Sequence, residues 1–237
     1  MPTTLTSTEK AQRAAVRDMF AGIARRYDFL NHTLSMNIDK RWRSKVSKEL
    51  VETLGKSDSV VLDIACGTGD LTNELASHSS GKVIGTDFCR PMLAVAINKN
   101  NKLPYIEADA MSLPFPDDHF DAVTIAFGLR NLPNFRNGLI EMNRVLKPGG
   151  KLVVLEFTEP VIPGFGRLFN LYFSHILPRI GGMVSGSRGA YEYLPDSVSK
   201  FPAQKELAAL FSEVGYSDVR FANLTGGIAA IHVGLKA

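Results

Sequence analysis

In this 237-residue chain the first residues able to do chemistry are a pair of glycines and an acid set about 20 residues further on. From Val60 to Leu71 an apolar, β-branched run broken only by Asp63 gives way to Cys66-Gly-Thr-Gly. The first half suits a strand buried on both faces of a parallel sheet, and the second half suits a tight turn. Gly67 and Gly69 remove Cβ atoms where the backbone bends and where a ligand would approach it, and a helix starting just beyond would offer free N–H groups. Taken alone, such a turn is equally well explained by geometry without a ligand. The next strand, Lys82 to Phe88, ends in Asp87, which is where a ribose hydroxyl pair is gripped in this layout. A dinucleotide fingerprint would need a third glycine, and that position holds Thr72. The ligand expected is therefore a mononucleoside rather than a nicotinamide or flavin.

The elements that must hold these residues follow from periodicity and turn signals. Residues up to about Lys10 are polar and expected to fray, and Val16, Met19, Phe20 and Ile23 then recur at helical spacing. Tyr27, Asp28, Phe29, Asn31, His32 and Trp42 cluster ahead of the first strand, as a helix on the sheet edge or as a lid over a ligand. A helix is expected over residues 44–54, closed by Gly55. Strands are expected at Val60 to Cys66, Val83 to Phe88, Tyr105 to Ala108, Ala122 to Phe127 and Lys151 to Phe157, with helices between. Lys147-Pro-Gly-Gly reads as a strong stop after the helix from Asn134 to Leu146. This rhythm requires right-handed crossovers and a parallel sheet covered on both faces. It breaks from Thr158 to Phe201, a greasy, then glycine-rich insertion at about 158–201. A helix from Leu207 to Val214 and an antiparallel hairpin, Asp218 to Leu224 and Ile228 to Leu235, complete the chain.

Length and composition suit one α/β domain over residues 1–237, with 45% hydrophobic and 22% charged residues. A net charge of +3 is too small to indicate a nucleic-acid partner without a concentrated stripe. The nearest approach is Lys40, Arg41, Arg43, Lys45 and Lys48, a solvated helix face or a surface for anionic lipid or a partner. No apolar run is long enough to span a bilayer and the first ten residues lack a signal-peptide pattern, so a cytoplasmic location is expected. Cys66 and Cys89 are expected as reduced structural thiols, and no metal is called for. The residues leave a homodimer open.

Five parallel strands, a glycine loop after the first, an acid after the second and a final hairpin resemble the class I S-adenosylmethionine-dependent methyltransferases. Further blocks are Leu62-Asp-Ile-Ala-Cys-Gly-Thr-Gly-Asp, Asp109-Ala with Leu113-Pro-Phe, and Phe127-Gly-Leu-Arg-Asn. To these add Arg144-Val-Leu-Lys-Pro-Gly-Gly, Leu155-Glu-Phe, and Tyr193-Leu-Pro-Asp-Ser with Phe201-Pro. Together they resemble the ubiquinone/menaquinone biosynthesis C-methyltransferase family from about Phe20 to the end. The Phe-Gly-Leu-Arg-Asn block and Tyr191 to Pro195 are its specific parts.

The resemblance implies a Rossmann-like class I fold, a mostly parallel seven-stranded sheet, with S-adenosyl-L-methionine as cofactor. It places Gly67, Thr68 and Gly69 at the methionine part, Asp87 on the ribose, and Asp109 with Ala110 at the adenine, with Asp63 shaping the loop from beneath. At Ala126 some relatives carry a serine, so a hydroxyl contact there is absent. The implied chemistry is methyl transfer to a ring carbon of a polyprenyl quinol. A neighbouring phenolic hydroxyl must lose its proton to make that carbon nucleophilic. Arg130 and Asn131 are implied at the substrate, with Tyr191 and Tyr193 as further contacts and His175 a weaker candidate. Arginine stays protonated and so serves to stabilise a phenolate rather than as a base. The substrate expected is demethylmenaquinol, with the ubiquinol precursor also open. Rival readings are methylation of another lipid or phenol, and a non-catalytic scaffold that binds the same cofactor. With no spanning helix and a bilayer-dwelling substrate, peripheral membrane contact is expected.

Overall fold

The computed structural model describes residues 6–35, 37–162 and 188–237. Its elements in chain order are α1 (Ser7–Ile23), a 3-10 turn (Ala24–Arg26), α2 (Tyr27–Leu34), α3 (Ile38–Glu49), α4 (Val51–Leu54), β1 (Val60–Ile64), α5 (Asp70–Ser77), β2 (Lys82–Asp87), α6 (Arg90–Lys99) and β3 (Tyr105–Glu107). There follow β4 (Phe120–Ala126), a 3-10 turn (Leu129–Asn131), α7 (Phe135–Val145), β5 (Leu146–Phe157), α8 (Arg188–Ser199), α9 (Gln204–Glu213), β6 (Tyr216–Leu224) and β7 (Ala229–Lys236). The strands form one seven-stranded sheet in the order β3-β2-β1-β4-β5-β7-β6. The β1–β5 pairings are parallel, while β7 runs antiparallel to both β5 and β6. Strand order reverses between β1 and β4, and a crevice opens at the carboxyl ends of the strands on either side of such a reversal.

Alternation along the central strands sorts side chains to two apolar layers. Leu62, Ile64, Val123, Ile125, Leu152 and Val154 pack with Leu139 and Met142 of α7 and Phe211 of α9. Val61, Ala122, Val153 and Leu155 pack on the other face with Trp42 and Val46 of α3 and Leu71 and Leu75 of α5. Period-two alternation with both faces covered is what a central parallel sheet requires.

Several boundaries differ from expectation, and the helix expected over residues 44–54 is two, α3 and α4, which meet at Leu50. Helix α1 begins at Ser7 because the Thr6 hydroxyl accepts from the Glu9 N–H while the Glu9 carboxylate accepts from the Thr6 N–H, a capping box that ties down residues expected to fray. Strand β5 starts at Leu146, so Lys147-Pro-Gly-Gly ends helix α7 yet belongs to the strand; Leu146 pairs with Phe120 across a register shift. Of the expected insertion, residues 163–187, His175 among them, lie outside the described residues; α8 supplies its later part.

Asp63 stands at the centre of this frame. It is 1% exposed in β1, with Oδ2 accepting from the Thr72 hydroxyl of α5 at 2.7 Å and Oδ1 accepting from the Thr124 hydroxyl of β4 at 2.8 Å. Burial pushes its carboxyl up from the ordinary 3.8 to about 7, with the two hydroxyls opposing that shift. The native state therefore holds a proton that the unfolded chain has released. The stability this group contributes is complete below the unfolded value and is lost as pH rises to about 7. An Asp63→Asn variant carries an amide there, which cannot titrate. The unfolding free energy of the wild type minus that of the variant is expected to fall by up to about 4 kcal/mol between pH 4 and pH 7 in urea titrations. Parallel pH curves for the two proteins would contradict it.

Candidate functional site

The site grows from the loop after β1. Ala65, Gly67 and Gly69 all take positive φ, +50°, +57° and +81°, so the backbone turns sharply before α5 begins. At Gly69 a Cβ atom would stand 2.7 Å from the Tyr105 hydroxyl, so that position is closed to any larger residue. The Gly67 N–H donates to Asp87 Oδ2 at 2.8 Å, and the Cys89 N–H donates to Asp87 Oδ1 at 2.8 Å. The acid at the end of β2 thus fastens two loops. Burial raises its carboxyl to about 6, against the pull of the Cys89 and Gly67 amides. With one N–H on each oxygen, further acceptor capacity is left for hydroxyl donors.

A second loop approaches from β4. Phe127 has φ +56°, and a Cβ on Gly128 would stand 2.7 Å from that of Ala65, so glycine there lets the two loops meet. Between them lies a cleft of about 690 Å³, its open mouth included, lined by Gly67, Asp87, Asp109, Ala110, Ala126 and Asn131 together with Arg13, Phe20 and Tyr27 from the N-terminal helices. Its lining, mostly apolar with a few convergent polar groups, suits a small-molecule site.

The N-terminal helices reach the cleft through charge as well as packing. Arg13 of α1 lies 3.1 Å from Asp109 Oδ2, while Asp109 Oδ1 accepts from the Met111 N–H at 3.0 Å. A Cβ on Gly67 would stand 4.0 Å from the Tyr27 ring. Asp28 of α2 accepts from the Thr68 hydroxyl and pairs with Lys99 at 2.5 Å, and Lys99 also pairs with Asp70 at 2.7 Å. Arg43 of α3 bridges Asp39 at 2.5 Å and Asp70 at 3.2 Å, with His32 2.8 Å from Asp39. His32, Asp39 and Asp70 have the spacing of metal ligands, but Arg43 and Lys99 already supply the positive charge that a cation would bring.

The loop after β4, Phe127-Gly-Leu-Arg-Asn, forms a tight turn. The Phe127 carbonyl accepts from Arg130 Nη1 at 2.6 Å and from Asn131 Nδ2 at 3.1 Å. Arg130 also donates from Nη1 to Glu156 Oε1 at 2.6 Å, an ion pair buried at the end of β5. Burial raises the Glu156 carboxyl, and the Arg130 charge opposes that rise. Tyr193 of α8 feels both charges; burial raises its phenol, with Arg130 lowering it and Glu156 raising it. Tyr191 lies on α8, and its side chain is outside the described residues.

Of the residues singled out in the sequence, Gly67, Asp87, Asp109, Ala110, Ala126 and Asn131 share the cleft wall. Thr68 gives its hydroxyl to Asp28, Gly69 opens α5 against Tyr105, and Asp63 lies beneath the loop with both oxygens engaged. Arg130 sits behind Asn131, held by Glu156. Sequence reasoning missed Arg13 and Glu156 as site-forming residues, and it named Asp28 only as one of a cluster that could form a lid. Glu156 had a signal: an acid ending the apolar run Leu152-Val-Val-Leu must find a cation once buried.

Comparison with known proteins shows which family the chain belongs to. The model of the ubiE/COQ5 methyltransferase family matches residues 6–236. The chain belongs to that family. The demethylmenaquinone methyltransferase of Thermus thermophilus is 49% identical over 221 residues, covering 91% of this chain and 99% of that protein. The ubiquinone/menaquinone biosynthesis C-methyltransferase UbiE of Geobacter sulfurreducens is 46% identical, covering 97% of this chain and 90% of that protein. A solved SAM-dependent methyltransferase from Aquifex aeolicus matches with TM-score 0.60 at 20% identity, covering 82% of this chain and 89% of that one, which shows the shared fold. The [4+2]-cyclase SpnF matches as well, with TM-score 0.61 at 17% identity, covering 81% of this chain and 80% of that one. The family's fold therefore does not fix the chemistry, and the residues of the cleft must.

Proposed function

We propose that this member of the ubiE/COQ5 family transfers a methyl group from S-adenosyl-L-methionine to a ring carbon of a polyprenyl quinol, with demethylmenaquinol as substrate. One observation carries the reading. The buried Asp87 carboxylate is bonded to the Gly67 N–H at one side of a cleft whose other side holds the Asn131 amide, its Oδ1 buried with no partner among the described residues. The residues fit the cofactor: Asp87 retains acceptor capacity for two ribose hydroxyls, Asp109 and Ala110 offer a carboxylate and an N–H to adenine, and the turn at Gly67 admits the methionine part. The cofactor supplies an electrophilic methyl group on a sulfonium.

The remaining work falls to the chain. Asn131 Oδ1 accepts the quinol hydroxyl and sets the ring's orientation. Arg130 supplies a fixed positive charge where the hydroxyl oxygen becomes anionic as its proton passes to water, which feeds electron density to the ortho carbon. Once the C–C bond to the methyl group has formed and the carbon–sulfur bond has broken, the ring proton also leaves to water and restores the aromatic ring. Tyr193, beside the Arg130–Glu156 pair, narrows the site against water. Helices α1 and α2, clasped through Arg13 to the loop after β3 and through Asp28 to the loop after β1, serve as a lid that must loosen for ligand exchange. The relatives named demethylmenaquinone methyltransferase support the naphthoquinol ring.

A lipid-tailed substrate must be met at a membrane, and no helix among the described residues is long and apolar enough to cross one. Lys40, Arg41, Lys45 and Lys48 of α3 are exposed, whereas Arg43 turns inward to Asp39 and Asp70. Val51 stands 66% exposed just beyond them. We assign this face to reversible contact with anionic lipid, worth about 1 kcal/mol per cation.

Labelled methyl transfer from S-adenosyl-L-methionine to demethylmenaquinol should proceed with the wild type. Arg130→Ala should lower turnover at least tenfold while calorimetric cofactor affinity changes less than about threefold. A loss of cofactor affinity alone would reject the substrate-side role. Co-sedimentation with vesicles rich in phosphatidylglycerol should be strong in low salt and fall when Lys40, Arg41, Lys45 and Lys48 are all changed to Glu. Equal sedimentation of the two proteins would remove the α3 face from the account.

A further inference from the structure

We infer that Glu156 is a positioning residue: by taking one terminal nitrogen of Arg130, it leaves the opposite edge of the guanidinium for the substrate's hydroxyl and sets how readily that hydroxyl ionises. The inference rests on the proposed quinol reading and deepens it.

The Glu156 side chain is 0% exposed and that of Arg130 is 6% exposed, so each is the other's principal counter-charge. Both carboxylate oxygens are committed. Oε1 accepts from Arg130 Nη1 at 2.6 Å and from the Phe157 N–H at 2.8 Å, and Oε2 accepts from the Arg130 N–H at 3.2 Å. Nη1 is spent a second time on the Phe127 carbonyl at 2.6 Å, and the guanidinium carbon lies 5.3 Å from the centre of the Phe157 ring. One nitrogen is thus tethered twice, with an aromatic face beside the group.

A guanidinium is a planar fork whose Nε–H and second terminal nitrogen share the edge away from Nη1. In this molecule Arg130 Nε is buried and has no partner among the described residues, and neither has Asn131 Oδ1 on the next residue. Leaving a donor and an acceptor buried and unpaired is costly, so both point to a polar ligand group. Both residues hang from the same Phe127 carbonyl, which the left-handed φ of +56° aims into the turn. A hydroxyl fits the pair: it gives its hydrogen to Asn131 Oδ1 and receives the Arg130 Nε–H.

Glu156 then has two consequences. Mechanically, it fixes which edge of Arg130 is offered. Electrostatically, it makes the pair neutral overall, so a bound quinol keeps its proton more firmly than it would beside an uncompensated guanidinium, which favours the ionised oxygen.

The test uses 1-naphthol, a phenol that reports its own ionisation by absorbance and does not carry quinol redox chemistry, titrated with pH while bound to the full-length protein. Bound 1-naphthol is expected to ionise about one pH unit lower in Glu156→Gln than in the wild type, because a negative charge beside Arg130 is gone. Glu156→Asp, which keeps the charge one methylene further off, is expected to shift it less and in the same direction. In the transfer assay Glu156→Asp should lower kcat at least tenfold with KM changed less than about threefold, the signature of a misplaced group rather than lost binding. A role confined to folding would lower Tm in both variants and leave the 1-naphthol ionisation where the wild type has it; that result overturns the inference. If the ionisation shifts as expected while the wild type fails to methylate demethylmenaquinol, the substrate assignment falls and the Glu156 inference stands.

Discussion

The hydrogen bond from the Gly67 N–H to the buried Asp87 carboxylate is the constraint on which the site depends. It joins the loops after the neighbouring parallel strands β1 and β2, on one side of the point where strand order reverses between β1 and β4. Burial works against a charged carboxyl there, and two backbone N–H groups work for it, which leaves the group poised near neutrality at about 6. In the proposed reading, a hydroxyl-rich ligand would add donors to that carboxylate and complete a shell that the protein supplies only in part. The glycine is needed because the φ of +57° that aims its N–H at the acid is strained for other residues.

Around this bond the same solution recurs: a carboxyl group taken out of water is given hydrogen-bond partners or a counter-charge. Asp63 under the loop is held by two hydroxyls, and Glu156 at the far wall by Arg130. Asp28, Asp39 and Asp70 between the N-terminal helices and α5 are held by Lys99 and Arg43. Removing Arg130 would leave the Glu156 carboxylate buried and unpaired, while the partly exposed pairs of Asp28 with Lys99 and of Asp70 with Arg43 add charge contacts between the N-terminal helices and the rest of the chain at the cleft.

Much of the frame was legible because its signals are local. The β-branched run ending in Cys66-Gly-Thr-Gly, the acid closing β2 and the alternation of strands and helices each state their own conformation. What escaped were features set by partners distant in sequence. Arg43 looked like one of five cations on a stripe, yet Asp70, on a helix beyond the first strand, draws it inward. Lys147-Pro-Gly-Gly looked like a turn alone, yet pairing of Leu146 with Phe120 starts the strand before it. The capping box of Thr6 and Glu9 is local and was legible; polar composition masked it. In the candidate site, the glycine and acid positions followed from spacing, whereas Arg13 and Asp28 reach it from helices whose packing no periodicity reveals.

The most direct measurement of the central claim is calorimetric titration of S-adenosyl-L-methionine from pH 5 to pH 8 with the wild type and Asp87→Asn. Because ribose hydroxyls donate to the ionised carboxylate, wild-type affinity should fall by up to about tenfold per pH unit below pH 6, a dependence that Asp87→Asn lacks while binding more weakly at pH 8. Equal affinities with parallel pH dependence in the two proteins would contradict the account.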